Sequence, residues 1–256
     1  RDRVIYLADA RQSMHFIQVF RCARKTGIVP DTTELVHIGF GTMNGKDGKP
    51  FKTRDGGVMR LEYLLKEIDD EMLNKIKENQ KEKENLNIDE AEAEQTAKTV
   101  ALAAVKYGDL SNQASKDYIF DIDRFTSFEG NTGPYILYTI VRIKSILSKY
   151  EAKGGDISAL KDAIMPAVNA GQKNLMLSLA KFNATIESAY EESAPHKICA
   201  YIYELANAFN GFYHDTKILS EENEELKKSY ISLLVLTKEI LEACIDMLGF
   251  SAPDRM

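Results

Sequence analysis

The sequence predicts a mainly α protein in two parts: a short α/β segment with parallel strands, followed by an all-α helical bundle. Two short runs rich in β-forming residues, at 3–9 and 34–43, flank a segment of helical periodicity. From about residue 121 onward, apolar residues recur at helical spacing almost to the end of the chain. With 256 residues, 44% of them hydrophobic, the chain can build one large domain or two smaller ones.

The first part has the order strand, helix, strand. RVIYLAD supplies the first strand, and residues 12–25 repeat their apolar side chains at helical spacing until Gly27 and Pro30 end the helix. Residues 34–43 alternate with the two-residue period of a strand, which predicts a βαβ unit with parallel strands. One such unit cannot bury both faces of its sheet. We therefore expect the rest of the sheet to lie upstream of Arg1, in a longer parent protein.

Residues 44–57 form a predicted loop in which glycines alternate with lysines and an arginine. Such a loop after a parallel strand can hold a polyphosphate, because glycines let backbone N–H groups approach and the cations offset its charge. The alternative is a mobile surface loop with solvated charges, and composition alone favours it. The P-loop pattern GxxxxGK[ST] is absent.

A charged helical segment closes the first part of the chain. Residues 60–106 are predicted to be helical, and the middle of this stretch is densely charged with mixed sign. We interpret it as a solvated hairpin or connector without chemistry of its own. The sequence thus divides into a first part, 1–120, and a helical part, 121–256.

The helix that begins at Pro134 carries two stripes of side chains. Its apolar stripe comprises Ile136, Ile140, Ile143 and Leu147. Tyr135, Tyr138 and Arg142 form the second stripe, at offsets of three and four. Two tyrosines and an arginine on one face can stack on unpaired bases and contact phosphates. They also fit the half-buried rim of an ordinary core, and the residues alone favour that alternative.

Three further helices are predicted downstream. Their apolar positions are Leu175, Leu179, Phe182, Ile186 and Tyr190 in the first; Ile198, Ile202, Leu205, Phe209 and Phe212 in the second; and Leu226, Tyr230, Leu233, Ile240, Leu241, Cys244 and Leu248 in the third. A helical bundle by itself says little about function.

Composition narrows the classes of function. A net charge of −6 argues against binding of nucleic acid by bulk charge, although a local patch remains compatible with it. No apolar run is long enough to span a bilayer. Cys22, Cys199 and Cys244 lie too far apart for a zinc motif, and the last two fall on apolar helix faces. They indicate buried free thiols in a reducing compartment.

Several segments together resemble one family. KDYIFDIDRFTSFEGNTGPYILYTIVR, at 116–142, is similar to the junction between the catalytic and anticodon-binding domains of arginyl-tRNA synthetases. LANAFNGFYHDTKIL and LGFSAPDRM resemble the final helices and tail of that family, and DARQSMHFIQVF and GKPFKTRDGG resemble its catalytic half. The resemblance covers nearly the whole chain. It implies the end of a Rossmann-type catalytic domain followed by a helical anticodon-binding domain.

The resemblance also assigns the ATP side. His37-Ile38-Gly39-Phe40 nearly spells HIGH, a motif of class I synthetases, but in this family the true HIGH belongs well upstream. HIGFGTM resembles instead the strand that pairs with the adenine of ATP, which places Phe40, Gly41 and Met43 at the base and His15 nearby. PFKTRDGG resembles a degenerate KMSKS motif, with Thr53 at its second lysine, so Lys52, Thr53 and Arg54 are the candidate catalytic residues.

The remaining assignments concern arginine and tRNA. Gln12 resembles a glutamine of the arginine pocket, and its amide can hydrogen-bond the substrate. Tyr138 and Arg142 resemble contacts to the anticodon loop, with Tyr135 beside them, and Tyr213 and the terminal Met256 resemble contacts from the other end of the domain. Leu137 stands where the family usually has glutamine.

The resemblance implies an ATP-dependent arginine–tRNA ligase whose partners are L-arginine, ATP and tRNA(Arg). Mg²⁺ is expected only as the counter-ion of ATP, without a protein-bound metal, and the expected location is the cytoplasm, with no membrane or DNA partner. Because HIGH is absent from these residues, we expect the chain alone to be inactive. The alternatives are a non-catalytic tRNA-binding or scaffolding module and a class I synthetase of another specificity.

Overall fold

A computed structural model describes residues 3–49, 60–82, 90–160 and 163–256. The chain groups into two compact units, 1–59 with 112–121, and 60–111 with 122–256. The charged connector, predicted as the end of the first part, groups with the helical bundle.

The first unit contains the expected βαβ arrangement. Strand β1 (Arg3–Asp9) pairs in parallel with β2 (Glu34–Phe40), with Arg3 opposite Glu34 and Asp9 opposite Phe40. Helix α1 (Ser13–Lys25) connects them after a single 3-10 turn, Ala10–Gln12. Gly27, at φ +71°, follows the helix in the left-handed conformation that glycine adopts most easily. The prediction of parallel strands is therefore confirmed.

This two-stranded sheet leaves much of its apolar surface open. Phe16 and Phe20 of α1 contact the ring of Tyr6 at centroid distances of 5.3 and 5.4 Å. Ile5 and Leu7 of β1 are nevertheless 49% and 68% exposed. None of the described residues of α1 is fully buried. The burial agrees with the argument that one βαβ unit cannot cover both faces of its sheet.

A second, very short strand pair completes the first unit. Strand β3 (Met43–Asn44) pairs in parallel with β4 (Tyr118–Ile119), 75 residues further along the chain. Strand β4 is not predictable from the sequence, because two residues are too few to show a period. In its partner strand β3, Met43 is the last residue of the predicted strand and Asn44 is the first residue of the predicted loop.

The second unit is entirely helical within the residues that the structure describes. The helices are α2 (Leu61–Glu82), α3 (Glu90–Leu110), α4 (Ile122–Phe125), α5 (Gly133–Ala152), α6 (Ala170–Ala180), α7 (Phe182–Glu191), α8 (Pro195–Asp215) and α9 (Glu224–Met247). The predicted helical connector corresponds to α2 and α3, which pack against each other. Together with the first unit, the architecture confirms the mainly α fold class.

Helix α3 packs on the bundle through a small-residue face. Ala97, Ala103 and Ala104 are almost completely buried. The fully buried Tyr107 donates a hydrogen bond to the Cys199 carbonyl at 2.8 Å. Alanine side chains let helix axes approach closely, which explains why the connector joins the helical unit despite its charged exposed face.

One predicted helix is wrong in its continuity. The apolar spacing from Leu175 to Tyr190 predicts a single helix, but α6 ends at Ala180 and α7 begins at Phe182. Lys181 adopts ψ −9° and donates its N–H to the Ser178 carbonyl at 3.2 Å, an i to i−3 bond. This tight turn interrupts the helix without changing the apolar spacing that the sequence displays.

Two of the three cysteines lie in the core of the helical unit. Cys199 and Cys244 are buried free thiols, whereas Cys22 is exposed, as the sequence predicted for the buried pair. Burial raises the pKa of both Cys199 and Cys244 to about 12, so the thiols stay protonated and unreactive at neutral pH. Within the part of the chain that the structure describes, none of the helices combines the length and apolar character needed to cross a bilayer.

Candidate functional site

The conformation of the chain before α5 fixes how this helix presents its residues. Thr132 caps α5 by accepting a hydrogen bond from the Tyr135 N–H at 3.2 Å, and it donates its own hydroxyl to the Ser127 carbonyl at 2.6 Å. Pro134 occupies the first turn, where a missing N–H costs nothing. A Cβ at Gly133 would lie 2.3 Å from the Ala103 carbonyl oxygen, so α3 requires glycine there. The motif NTGPY thus sets the start and the rotation of α5.

The two predicted stripes of α5 separate as expected. Ile136, Ile140 and Ile143 are completely buried. Tyr135, Tyr138 and Arg142 are half-buried at the edge of the contact between α5 and α8. They meet a row of α8 side chains, and the whole group is called the α5–α8 cluster: Tyr135, Tyr138, Arg142, Tyr203, Asn207, Asn210 and Tyr213.

Arg142 lies at the centre of the α5–α8 cluster, between two aromatic rings. Its guanidinium carbon is 4.8 Å from the ring centroid of Tyr138 and 5.4 Å from that of Tyr213. These are cation–π distances, and the planar guanidinium stacks well on aromatic faces. Tyr213 is 41% exposed, and its ring is supported by the ring of Phe209, which stacks on it at a centroid distance of 5.9 Å.

A chain of hydrogen bonds joins the two helices beside this guanidinium. Arg142 Nη1 donates to Asn210 Oδ1 at 2.6 Å, and Asn210 Nδ2 donates to the Tyr135 hydroxyl at 2.9 Å. That hydroxyl in turn donates to Asn207 Oδ1 at 2.7 Å. The ring of Tyr203 meets the ring of Tyr135 edge-on at 5.8 Å.

Sequence reasoning missed three members of the cluster. Tyr203, Asn207 and Asn210 recur on α8 at offsets of four and three, and Tyr213 continues the row. This spacing could have identified a polar stripe opposite the apolar one. The assignment of their partners on α5 required the packing of the two helices, which no local spacing contains.

The structure places Met256 at the end of a tail that other residues hold. Lys144 on α5 donates to the carbonyl of Pro253 at 3.3 Å and pairs with Glu242 at the same distance. Arg255 pairs with Glu92 of α3 at 3.0 Å. Met256 is half-buried. The tail that ends at Met256 is therefore held by Lys144 of α5 and Glu92 of α3.

The predicted arginine and ATP residues of the first unit surround the start of α1. Asp9 accepts from the N–H of Arg11 at 2.8 Å, and hydrogen bonds from the Arg11 side chain lower the pKa of Asp9 to about 2. Gln12 ends the 3-10 turn with an exposed side chain. His15 is also exposed, and its ring lies edge-on to Phe16 at 5.5 Å.

His37 of the near-HIGH sequence has a packing contact. Its ring stacks on Phe16 at a centroid distance of 4.4 Å and an interplanar angle of 16°. It therefore helps to hold α1 against β2.

The segment after β2 is held by the chain at 114–121. Gly41 donates its N–H to the Ala114 carbonyl at 2.8 Å, and a Cβ at this position would lie 2.4 Å from the Lys116 carbonyl carbon. The Thr42 N–H donates to Asp117 Oδ1 at 2.6 Å, and the Thr42 carbonyl accepts from Tyr118. Glycine at 41 is thus required by the close approach of another backbone.

The pairing of β3 with β4 directs the backbone of Met43. The carbonyls of Thr42 and Asn44 accept from Tyr118 and Phe120 of the neighbouring segment, at 3.1 and 2.8 Å. Because backbone groups alternate in direction along a strand, the N–H and C=O of Met43 point away from β4. The ring of Phe40, at the end of β2, is 41% exposed.

The basic loop is described only at its start. Lys46 pairs with Asp121 at 3.0 Å, and Gly45 and Lys49 close a turn through a backbone hydrogen bond of 2.8 Å. The candidate residues Lys52, Thr53 and Arg54 lie outside the described residues. Across the described ranges, His, Cys, Asp and Glu side chains form no group of three or more that could hold a metal ion.

Comparison with known families accounts for both units. The family model described as the catalytic domain of class I tRNA synthetases (R) matches residues 1–122, and the model of the DALR anticodon binding domain matches residues 136–256. The chain belongs to the arginyl-tRNA synthetase family. It corresponds to the end of the class I catalytic domain plus the DALR domain.

Curated relatives and solved structures agree with this assignment. The arginine–tRNA ligase of Alkaliphilus oremlandii is 54% identical over 255 residues, and that of Francisella tularensis is 43% identical over 257 residues. Each alignment covers 100% of this chain but 42% of the relative, so the chain spans about two fifths of these enzymes.

The solved arginyl-tRNA synthetase of Plasmodium falciparum superimposes with a TM-score of 0.80 at 27% identity, over 100% of this chain and 41% of that one. The Thermus thermophilus enzyme gives 0.81 at 24% identity, again over 100% and 41%, which supports the fold alone.

Proposed function

We propose that this chain supplies the anticodon-reading platform and the adenine-facing edge of an arginine–tRNA ligase. The whole enzyme would activate arginine with ATP and transfer it to tRNA(Arg). The observation that carries the proposal is the guanidinium of Arg142 between Tyr138 and Tyr213, in a domain that matches the DALR anticodon binding model.

The α5–α8 cluster has the chemistry of a single-stranded RNA site. Exposed aromatic rings stack on any base, and a nearby guanidinium contacts phosphates or base edges. Arg142 provides a local positive charge in a chain of net charge −6, and phosphate contacts depend on such local charge rather than on the net charge. Tyr135 belongs to the same proposed site through its hydrogen bonds to Asn207 and Asn210. Met256 is proposed as an anticodon contact on the basis of the sequence resemblance alone.

The first unit supports an adenine-facing edge. The backbone of Met43 points away from β4, which is the geometry that an adenine edge needs for pairing with a strand. The partly exposed Phe40 and the tightly packed Gly41 precede this position along the chain. His15 and Gln12 are proposed to face ATP and arginine respectively, since both side chains are exposed near the start of α1.

The reaction itself requires no protein nucleophile. In adenylate formation the carboxylate of arginine attacks the α-phosphate of ATP and pyrophosphate leaves, while cations stabilise the developing charge. Lys52, Thr53 and Arg54 are proposed for the pyrophosphate side by their position in the degenerate KMSKS motif. Mg²⁺ would enter with the phosphates of ATP, and a cytoplasmic location remains part of the proposal.

Binding of an isolated anticodon stem-loop from tRNA(Arg) tests the proposed platform. Stacking on an aromatic ring contributes about 1–3 kcal/mol per base. Tyr138→Ala and Tyr213→Ala should therefore each weaken binding on the order of tenfold in a titration. Tyr190→Ala is the matched control, because this tyrosine of α7 is 73% exposed and lies outside the cluster. Lys52→Ala should also leave stem-loop binding unchanged. Wild-type affinity in both cluster variants would show that the two tyrosines only form the rim of a core and do not bind RNA.

The chain alone should not form arginyl-adenylate. HIGH is absent from its 256 residues, and a partial phosphate clamp provides little binding of the transition state. Arginine-dependent ATP–pyrophosphate exchange should stay at background, with the full-length Alkaliphilus enzyme as the positive control. Exchange at a comparable rate would show that the missing motif is dispensable. Stem-loop binding without exchange would make the isolated chain a tRNA-binding module.

A further inference from the structure

We propose that Asn210 is a positioning residue that holds the Arg142 guanidinium for RNA without neutralising its charge. This inference rests on the proposed function of the α5–α8 cluster and names a residue that acts through Arg142 rather than on the RNA itself. Asn210 Oδ1 accepts from Arg142 Nη1 at 2.6 Å across the contact between α8 and α5.

The orientation of the Asn210 amide follows from its partners. A guanidinium only donates, so the atom of Asn210 that faces it must be the oxygen. The amide nitrogen then donates to the Tyr135 hydroxyl at 2.9 Å and approaches Thr139 Oγ1 at 3.4 Å. Both ends of the side chain are engaged with α5. Asn210 therefore has one orientation, and it fixes one orientation of Arg142.

The neutral partner distinguishes Arg142 from two other cations of the helical unit, Lys144 and Arg255. Lys144 pairs with Glu242 at 3.3 Å, and Arg255 pairs with Glu92 at 3.0 Å. Arg142 contacts two tyrosine rings and the Asn210 amide, none of which carries a formal charge. A carboxylate at 210 would hold the guanidinium more firmly but would cancel its charge. An amide holds the same geometry and leaves the charge for a phosphate or a base edge.

A substitution series at 210 separates positioning from simple packing. Asn210→Asp keeps the shape of the side chain and exchanges the hydrogen bond that Asn210 donates to the Tyr135 hydroxyl for an ion pair with Arg142, so thermal stability should be retained. The same variant should bind the anticodon stem-loop about tenfold more weakly at low salt. The slope of log K against log salt concentration should be shallower by about 0.7 for this variant, because one phosphate contact to a single strand is lost.

Two further variants complete the design. Asn210→Ala should weaken binding about tenfold, because the guanidinium loses the hydrogen bond that orients it. This variant keeps the guanidinium charge, so its salt slope should stay near that of the wild type. Asn183→Asp adds the same charge on an exposed position of α7 and controls for general repulsion of RNA.

The possible outcomes distinguish this inference from the function on which it rests. Weaker binding of Asn210→Asp with retained stability, and near-normal binding of Asn183→Asp, supports a positioning role. Wild-type affinity and slope in Asn210→Asp would overturn it, even if Tyr138→Ala still weakens binding and so supports the platform. Failure of the unmodified chain to bind the stem-loop would instead refute the proposed function.

Discussion

At the scale of single residues, the geometry of Arg142 predicts that lysine cannot replace it. A guanidinium stacks on two rings and bonds Asn210 at once, whereas an ammonium is a point charge without a planar face. Arg142→Lys should weaken stem-loop binding about tenfold while keeping the salt slope. Arg142→Ala should weaken binding and make the slope shallower by about 0.7. Equal slopes for the two variants in titrations at several salt concentrations would contradict a phosphate contact.

The same residues show how far local spacing predicts a site. Offsets of three and four place Tyr135, Tyr138 and Arg142 on one face of α5, and the structure confirms that face. An RNA-binding stripe and the rim of a core are compatible interpretations of this face, because its side chains are half-buried at the edge of the core. Asn210 escaped prediction since its partner is 68 residues away, and only packing brings the two together.

At the scale of elements, the entry to α5 predicts a sharp contrast between two glycines. A Cβ at Gly133 would meet the Ala103 carbonyl oxygen at 2.3 Å, so Gly133→Ala must push α3 and α5 apart. Such overpacking costs about 1–3 kcal/mol of unfolding free energy. Gly211→Ala is the matched control, because nothing lies within 4 Å of its Cβ position inside α8. Alanine there should stabilise the helix by about 0.5–1 kcal/mol.

Urea unfolding of the helical unit measures both glycine variants. A destabilised Gly133→Ala with a stabilised Gly211→Ala would show that the cost arises from the α3 contact and not from the loss of glycine as such. Equal effects of the two substitutions would remove the packing explanation for the glycine of NTGPY.

Helices and strands were predictable where apolar residues repeat over a long segment, and they were not predictable where no such repeat exists. The parallel βαβ order and helices α5, α8 and α9 follow from apolar spacing and capping residues. The break at Lys181 leaves that spacing intact, because a single 3-10 turn shifts the helical phase only slightly. Strand β4, with two residues, is defined by backbone bonds to β3 and by no pattern of its own.

At the scale of the whole molecule, the family models and the compact units divide the chain differently. The catalytic model extends to residue 122, whereas residues 60–111 pack with the helical unit. Both divisions have a physical basis. The chain at 112–121 pairs with β3 and so belongs to the first unit. Helix α3, which precedes this segment in the chain, packs on α5 and so belongs to the helical unit. The sequence showed the charged face of the connector clearly, but alanines at helical spacing are too common to predict a partner.

The two units should also differ in stability. In the first unit, Ile5 and Leu7 are about half or more exposed and α1 buries no described residue, whereas α5, α8 and α9 bury continuous apolar faces. Local opening free energy follows such burial. Amide hydrogen exchange should therefore be faster for residues 3–40 than for residues 133–152 and 195–247, with the latter approaching the global unfolding free energy. Adding urea below the main transition should speed exchange in the second set much more than in the first, since global opening exposes more surface than local opening.

Equal protection at low protein concentration would mean that the aromatic contacts of Tyr6, Phe16 and Phe20 suffice to stabilise the sheet. Protection that rises with concentration would instead indicate that a second copy covers its open face.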